Sequence, residues 1–567
     1  MTVGIRGPCD RGVIEGRPCG GVGPDGAGPW VLAVTILGSG MTFIDGTVVN
    51  VALPALQASL GATMSEAQWV VESYALVLSA LILVGGALGD RLGRRRVFAA
   101  GVALFGVGSL WCGLAASAAQ LIVARAFQGL GAALLVPGSL AIISASFDER
   151  SRGRAIGTWS AATAVLAAVG PVLGGWVIER FSWRGIFFLN LPLCAAILPV
   201  LFRHVRESRD PGAPARLDWI GTALVTVGLG GLVLGFVAAP QRGFGAPLVR
   251  ASLAVGALAL AAFGAAELAQ RQPMVPPRLF RVRAFSGANL LTLLLYAALS
   301  GALFFVPFLL IEVRGYSATA AGAALLPFIL LVFALSRWSG ALADRRGARG
   351  LLIVGPLVAG LGFVLLVLAG GEGSYWTTAF PGLAVLGLGM AITAAPLTTT
   401  VMNAADASLA GTASGVNNAV ARTGGVLAVA VLGVLVFGRF HAQLAERAAR
   451  VSEAPSARAF VAEAGVRMAA ARVPADLPEP VARALREVVA RAFTSGFLSH
   501  ESEENRSEEP QESLQEKECN ACDADTGPPG QEVFWVERVG AAGITHGPVS
   551  CSKKRDRCAA ETAHLSW

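Results

Sequence analysis

Gly86-Ala-Leu-Gly-Asp90-Arg91-Leu-Gly93-Arg94-Arg95 and Gly340-Ala-Leu-Ala-Asp344-Arg345-Arg346-Gly347-Ala-Arg349 are one pattern written twice, the second aspartate 254 residues after the first. Each copy is a short charged turn between two long apolar runs. About 20 apolar residues in a helix cross the ~30 Å hydrocarbon core of a bilayer. Runs of that kind lie at 30–56, 69–89, 97–116, 120–145, 155–178, 185–202, 218–238, 251–269, 285–310, 319–341, 351–369, 376–402 and 411–438, thirteen in all. Backbone groups have no water to bond in lipid, so these runs are helices. Each charged turn follows the second run of a repeating unit, which leaves 218–238 and 251–269 inserted between two related halves. The fold class is therefore all-α and integral to the membrane: two six-helix bundles with two inserted helices. Duplicated halves mark many secondary transporters, whose substrate site lies at mid-membrane between them.

Composition agrees. Of 567 residues, 54% are hydrophobic and 15% charged, with mean hydropathy +0.61, whereas a soluble chain carries about 25% charge. Much of the surface must face lipid, which excludes a soluble enzyme, a nucleic-acid-binding protein and a disordered scaffold as readings of the whole chain. The net charge of +7 follows from topology instead. With the N-terminus inside, the inner loops hold 18 arginines and the outer loops as far as the twelfth run hold 5, the asymmetry of a cytoplasmic N-terminus. The first 28 residues are polar and lack the apolar stretch and cleavage site of a signal peptide. These features predict a multi-pass protein of a bacterial-type inner membrane, acting as a monomer. The eight cysteines imply no disulfide framework in the bundle, and Cys519 and Cys522 have no partners at zinc-site spacing.

Charged and polar residues inside the runs are the functional candidates, because each is costly in lipid. Asp45 lies in Phe43-Ile-Asp45-Gly-Thr47-Val-Val-Asn50; water-poor surroundings favour a protonated acid, so it is a reversible proton carrier or a structural partner for a neighbouring run. Glu72, in Trp69-Val-Val-Glu72-Ser-Tyr74, shares that role, attracts a cationic substrate, or sits solvated at the interface. Arg125 requires a carboxylate, carbonyls or water, and helical spacing puts it on one face with Gln128 and Gly129. Gly170, Gly174 and Gly175 allow close helix approach, and Pro171 bends the axis. In the duplicated turn, Gly86 and Gly93 permit tight backbone, while Asp90 pairs with an arginine or caps a helix. Trp69, Tyr74, Gln128 and Asn417 are candidates for a substrate cavity, with an aromatic interfacial belt as the other reading of Trp69 and Tyr74.

Over residues 30–440 the chain resembles the major facilitator superfamily, and within it the 14-span drug:proton antiporter family. The carriers of the resemblance are the turn from Gly86 to Arg95, the first-run segment around Asp45, Leu121-x-x-x-Arg125-x-x-Gln128-Gly129-x-Gly131, Gly170-Pro171-Val-Leu-Gly174-Gly175, Trp183-Arg184-x-Ile-Phe-x-x-Asn190-x-Pro192, Leu217-Asp218-Trp219-Ile-Gly221, and Gly411-Thr-Ala-Ser-Gly415 with Arg422. The resemblance implies that Asp45 couples protons or cations, with Glu72 as helper, and that Arg125 is linked to proton transfer. It also implies that the loop of Asp90, Arg91 and Arg94, with its copy at Asp344 and Arg345, latches the inner face in one state. The Gly170–Gly175 motif marks antiporters. No acid lies in the thirteenth run, where some relatives have one.

The chain lacks a phosphate-binding loop, and residues 1–516 contain no lysine, so this polypeptide does not drive transport with ATP. No cofactor is expected beyond a proton gradient. The domain reading is a polar tail 1–28, a first bundle 29–209, inserted helices 210–284, a second bundle 285–438, an extracytoplasmic loop 439–497 with helical patches, and a disordered charged tail 498–567. That tail holds 21 charges in 70 residues and begins where the family's fourteenth span is expected. The function expected is proton-coupled export of hydrophobic or cationic small molecules, drugs or antibiotics, by alternating access. The alternatives are an exporter or symporter of an ordinary metabolite on the same fold, or a non-transporting relic lacking its last span.

Overall fold

In a computed structural model of the chain, the residues described are 27–147, 149–209, 218–270, 273, 275–366, 373–404, 410–448, 455–468, 471, 479–497, 534–540 and 543–549. The polar tail 1–26, most of 498–567 and all cysteines except Cys112 and Cys194 lie outside them.

The apolar runs satisfy their backbone groups internally, as helices. The first bundle comprises α1 (Ala27–Leu60), α2 (Met64–Leu92), α3 (Arg94–Leu114), α4 (Ala118–Ser146), α5 (Glu149–Arg180) and α6 (Asn190–His204). The inserted pair is α7 (Trp219–Arg242) and α8 (Pro247–Ala269). The second bundle comprises α9 (Arg283–Phe308), α10 (Ala318–Ala324 continued as Leu326–Arg346), α11 (Arg349–Leu365), α12 (Ala379–Asn403) and α13 (Ala410–Ala448). Among the described residues twelve helices are long and apolar enough to cross a membrane; the run expected at 351–369 is represented by the 17-residue α11. Polar caps set several ends. Thr63 Oγ1 accepts from Glu66 N (3.1 Å) while Glu66 Oε2 accepts from Thr63 N (2.8 Å), a reciprocal box that starts α2. Asp218 accepts from Gly221 N at 2.8 Å and starts α7.

Small residues let helices close on one another. A Cβ at Gly129 of α4 would lie 2.6 Å from the Tyr74 carbonyl of α2, and one at Gly108 of α3 would lie 2.8 Å from Gln128 Cα. The duplicated pattern is also duplicated in packing: Gly86 of α2 faces Pro137 of α4, and Gly340 of α10 faces Ala395 of α12, each at 3.6 Å for an added Cβ. The inserted α7 lies against both α2 and α13, and α8 packs on α7.

In the stretch 439–497, expected as an extracytoplasmic loop with helical patches, the described residues continue α13 to Ala448 and form α14 (Pro455–Arg467) and α15 (Glu479–Phe497). Its apolar residues are sparse but spaced for one helix face: Leu485, Val489, Ala492 and Phe493 are all buried. With Phe440 and Phe460 they join the core that holds Met64 of α2 and Phe304, Phe305 and Phe308 of α9. Of 498–567, the described residues pair as an antiparallel ribbon, β1 (Phe534–Gly540) with β2 (Gly543–Val549), whose first strand carries the strand-favouring run Phe534-Trp535-Val536; the rest of the tail expected to be disordered lies outside the described residues.

Candidate functional site

Among the described residues the first bundle buries one ion pair. Asp45 of α1 and Arg125 of α4 are 2% and 1% exposed, and Arg125 Nη1 donates to Asp45 Oδ2 at 2.5 Å. Gln128, one turn along α4, donates to Asp45 Oδ1 (2.9 Å) and accepts from Arg125 Nη1 (2.7 Å). Arg125 Nε donates to the Val70 carbonyl of α2 at 3.1 Å, a contact made possible by the close approach of α2 at Gly129. The guanidinium also lies over the Tyr74 ring, 4.2 Å from its centroid. Gln128 Nε2 reaches Ser109 Oγ of α3 (2.9 Å), which also accepts from Asn190 Nδ2 of α6 (3.2 Å). Five helices of the first bundle thus meet in one polar network, within which both carboxylate oxygens and the guanidinium have partners. Such a pair withstands desolvation only with further hydrogen bonds around it; here Arg125 Nε and Nη1 and both Asp45 oxygens are bonded, and the Tyr74 ring covers the guanidinium.

Of the residues singled out from sequence, Asp45, Arg125, Gln128 and Tyr74 come together in this network. Glu72 does not. It is 1% exposed, so the solvated alternative falls, and neither carboxylate oxygen has a hydrogen-bond partner. Its neighbours on α2 show where it lies: Gln68 donates to the Val429 carbonyl of α13, and Trp69 and Ala75 pack on Val233, Val237 and Phe236 of α7 and on Val426 and Ala430 of α13. Glu72 therefore belongs to the seam among α2, α7 and α13, and Trp69 packs there too. Asn417 of α13 lies apart from the Asp45 network, donating to Asn289 Oδ1 (3.2 Å) and Thr292 Oγ1 (2.8 Å) of α9.

The motif in α5 faces two ways. Gly170 and Gly174 sit on α1, at Ile44, Thr47 and Val48, the immediate neighbours of Asp45. Gly175 sits on Ala318 and Thr319 of α10, and Gly322 of α10 sits on the Pro171 carbonyl. Glu179 accepts from Thr319 N at 2.7 Å at the same junction. The interlocks between the bundles described here lie toward the end that carries Gly61, Glu179 and Gly315, where Arg467 of α14 also donates to the Gly61 carbonyl at 3.3 Å.

At the opposite, arginine-rich end, Asp90 accepts from Arg94 Nε (2.9 Å) and Nη2 (2.7 Å) within its own loop. The next partner is Glu207, which follows α6: it accepts from Arg95 N (2.9 Å) and Arg96 N (3.2 Å), capping the start of α3. Gly93 has φ +117°, and a Cβ there would meet the Glu207 carboxyl carbon at 2.6 Å. Arg91 is exposed. In the second copy Gly347 again has positive φ, +82°; Arg345 and Arg346 are exposed and, among the described residues, meet no carboxylate, while the Asp344 side chain lies outside the described set. Sequence reasoning missed Glu207 and Ser109, single polar residues with no pattern around them. Asn190 stood in the quoted motif without a role.

Residues 35–429 match the sequence model of the Major Facilitator Superfamily. The chain is 36% identical over 433 residues to the multidrug resistance protein Stp of Mycobacterium tuberculosis, covering 76% of this chain and 80% of that one. It is 34% identical over 480 residues to the tetracenomycin C resistance and export protein of Streptomyces glaucescens, covering 83% and 88%. With the cephamycin export protein CmcT of Amycolatopsis lactamdurans it shares 37% over 399 residues, covering 69% and 82%. Among solved structures, the fold is like that of a bacterial homologue of the human lysosomal transporter Spinster in an inward-facing, unoccupied conformation, with TM-score 0.57 and 17% identity over 84% of this chain and 95% of the other.

Proposed function

The chain belongs to the Major Facilitator Superfamily, and from that premise we propose that it is a proton-coupled antiporter that exports hydrophobic or cationic small molecules of the drug and antibiotic class by alternating access. It is a multi-pass membrane transporter rather than an enzyme; the coupling ion, the direction and the cargo are the proposal. The relatives named for resistance and export support the cargo class. The arginine asymmetry supports a cytoplasmic N-terminus in a cell membrane, with the arginine-rich end inside. Seated in the bilayer as a monomer, the chain would draw its energy from the proton gradient with no bound cofactor.

The single observation that carries the reading is the buried, hydrogen-bonded Asp45–Arg125 pair. With Asp45 ionised, α1 is tied to α4 and, through Arg125, to α2. A proton on Asp45 removes the charge that holds Arg125, which keeps only the Val70 carbonyl, Gln128 and the Tyr74 ring. The change falls on the stretch of α1, Ile44 to Val48, that seats Gly170 and Gly174 of α5. The other side of α5 holds α10 of the second bundle. Protonation at Asp45 and the junction at the Gly61 end are thus joined by packed side chains, the contiguous path that coupling requires.

The test is uptake of a fluorescent drug-like dye into proteoliposomes under an imposed pH gradient. Asp45→Asn is expected to abolish gradient-driven accumulation while preserving counterflow without a gradient. Uphill transport by Asp45→Asn at the wild-type rate would overturn the coupling assignment.

A further inference from the structure

We propose that the arginine-rich ends of α3 and α6 form a binding site for an anionic phospholipid, in which Arg96, Arg203 and Arg206 hold the phosphate-bearing headgroup and an acyl chain lies along the joint outer face of the two helices. The site depends on the chain spanning a membrane and not on the cargo or the coupling ion.

α3 and α6 pack side by side. The Cys194 thiol of α6 donates to the Val102 carbonyl of α3 at 3.5 Å, and a Cβ at Gly106 would meet the Cys194 sulfur at 3.0 Å. At the arginine-rich end, Arg95 Nη1 donates to the Val205 carbonyl at 3.1 Å, and its guanidinium lies over the Phe202 ring, 5.7 Å from the centroid. Arg94 N donates to the Ser208 carbonyl at 2.8 Å. The start of α3 and the chain leaving α6 are thus one fixed surface. Cys194, Ile197 and Leu201 are buried, so α6 turns Pro199, Phe202 and Arg203 outward, and all three are exposed. On α3 the exposed residues Arg96, Ala100, Ala103 and Val107 share one face at helical spacing. Arg96 and Arg203 therefore head two neighbouring lipid-facing helix faces. Arg206, next to the Val205 that Arg95 grips, is exposed as well.

The charge of this surface is not cancelled by the acids beside it. Asp90 is taken by Arg94 at 2.7 Å. Glu207 lies 3.6 Å from Arg96 Nε, yet its oxygens also accept from the backbone N of Arg95, Arg96 and Ser208, and the Arg96 side chain stays 70% exposed. One occupied carboxylate thus stands against the guanidinium groups of Arg96, Arg203 and Arg206. Their planar forks match phosphate oxygens in paired hydrogen bonds. The level is that of a headgroup. Trp30 of α1 is 47% exposed and stacks on His204 at the end of α6, 4.9 Å between rings, as aromatic residues do at a membrane interface. Topology alone asks only for arginines somewhere in these loops. Here two of them cap apolar helix faces with the exposed Phe202 between, so one molecule with an anionic head and an apolar tail satisfies both. Basic surfaces between helices take anionic headgroups in this way. A choline headgroup would bring its ammonium against the same arginines.

The test is native mass spectrometry of the full-length protein, delipidated in detergent and titrated with dilauroyl phosphatidylglycerol or dilauroyl phosphatidylcholine. No cargo or gradient is present, so the result is separate from that of the transport assay. The wild type is expected to bind one phosphatidylglycerol about tenfold more tightly than phosphatidylcholine. Arg96→Gln combined with Arg203→Gln should bring the two lipids within about twofold, and Arg206→Gln alone should weaken phosphatidylglycerol binding by about threefold. Lysine at positions 96 and 203 should keep most of the preference. Arg345→Gln with Arg346→Gln removes the same charge from the second turn and should leave the preference intact. Equal weakening by that pair makes the attraction one of net charge and overturns the proposal. So does a Gln variant of Arg96 and Arg203 that keeps the wild-type preference. Displacement of the lipid by an equal concentration of glycerol 3-phosphate assigns the arginines to a free phosphate and overturns it too. Should the double variant fail to fold, Arg203→Gln decides alone: unchanged phosphatidylglycerol binding overturns the proposal.

Discussion

Arg125 and Arg422 are both arginines within spanning helices, and they live under opposite conditions. Arg125 has a carboxylate, an amide oxygen, a backbone carbonyl and an aromatic face around it. Arg422 has a buried Nε that no acceptor reaches. The first is a finished piece of structure whose charge is cancelled inside the protein. The second is an open valence. The difference between the two arginines is one of partners, not of burial in an apolar helix alone.

The comparison can be broken most severely at Arg125. Arg125→Ala strands Asp45 without its ion partner, and breaking a buried pair costs about 3–5 kcal/mol. The purified protein should unfold at markedly lower denaturant or temperature, and uphill transport should vanish. If the pair is the unit, Arg125→Ala combined with Asp45→Asn should lose less stability than the two single changes summed, by about 1–3 kcal/mol in a double-mutant cycle. Arg422→Leu should behave in the reverse sense. Removing a charge with no partner is expected to leave stability unchanged or raise it by about 1 kcal/mol, measured by the same unfolding assay. A loss comparable to that of Arg125→Ala would mean that Arg422 has a structural counter-charge after all. Glu72→Leu sharpens the point from the acidic side: with both oxygens unbonded in an apolar seam, the exchange should stabilise by about 1 kcal/mol, and any transport defect would then be functional rather than structural. The smallest effect is expected at the arginine-rich end. Glu207→Gln keeps one acceptor oxygen for the Arg95 and Arg96 amides, turns an NH2 toward the other and loses partly exposed charge, so about 1 kcal/mol should be lost.

Much of this was legible in advance. The runs announced themselves because lipid demands length and apolarity together, and Asp45 and Arg125 stood out because charge is expensive there. What could not be read was who meets whom. The pairing of Asp45 with Arg125 spans 80 residues, and nothing local to Glu207 signals that it caps α3 more than a hundred residues earlier. Glu72 reads as a helper to Asp45 because hydropathy cannot say which side of α2 faces α7. In 439–497 the charges lower the mean hydropathy, so only helical patches are legible, while the spacing of Leu485, Val489 and Phe493 is what buries one helix face.

The helices after α13 carry a consequence for turnover. α15 packs on α13 and on the turn Leu309–Val313 that ends α9, all of the second bundle, whereas the hydrogen bond from Arg467 to Gly61 reaches the first. Separating the bundles at that end therefore means, besides parting α5 from α10, peeling a hinged flap fixed on one side and hooked on the other by the hydrogen bond from Arg467 to Gly61 and an aromatic surface. Cargo release would then have the temperature dependence of lifting apolar surface into water, set by residues far from any that touch cargo or proton.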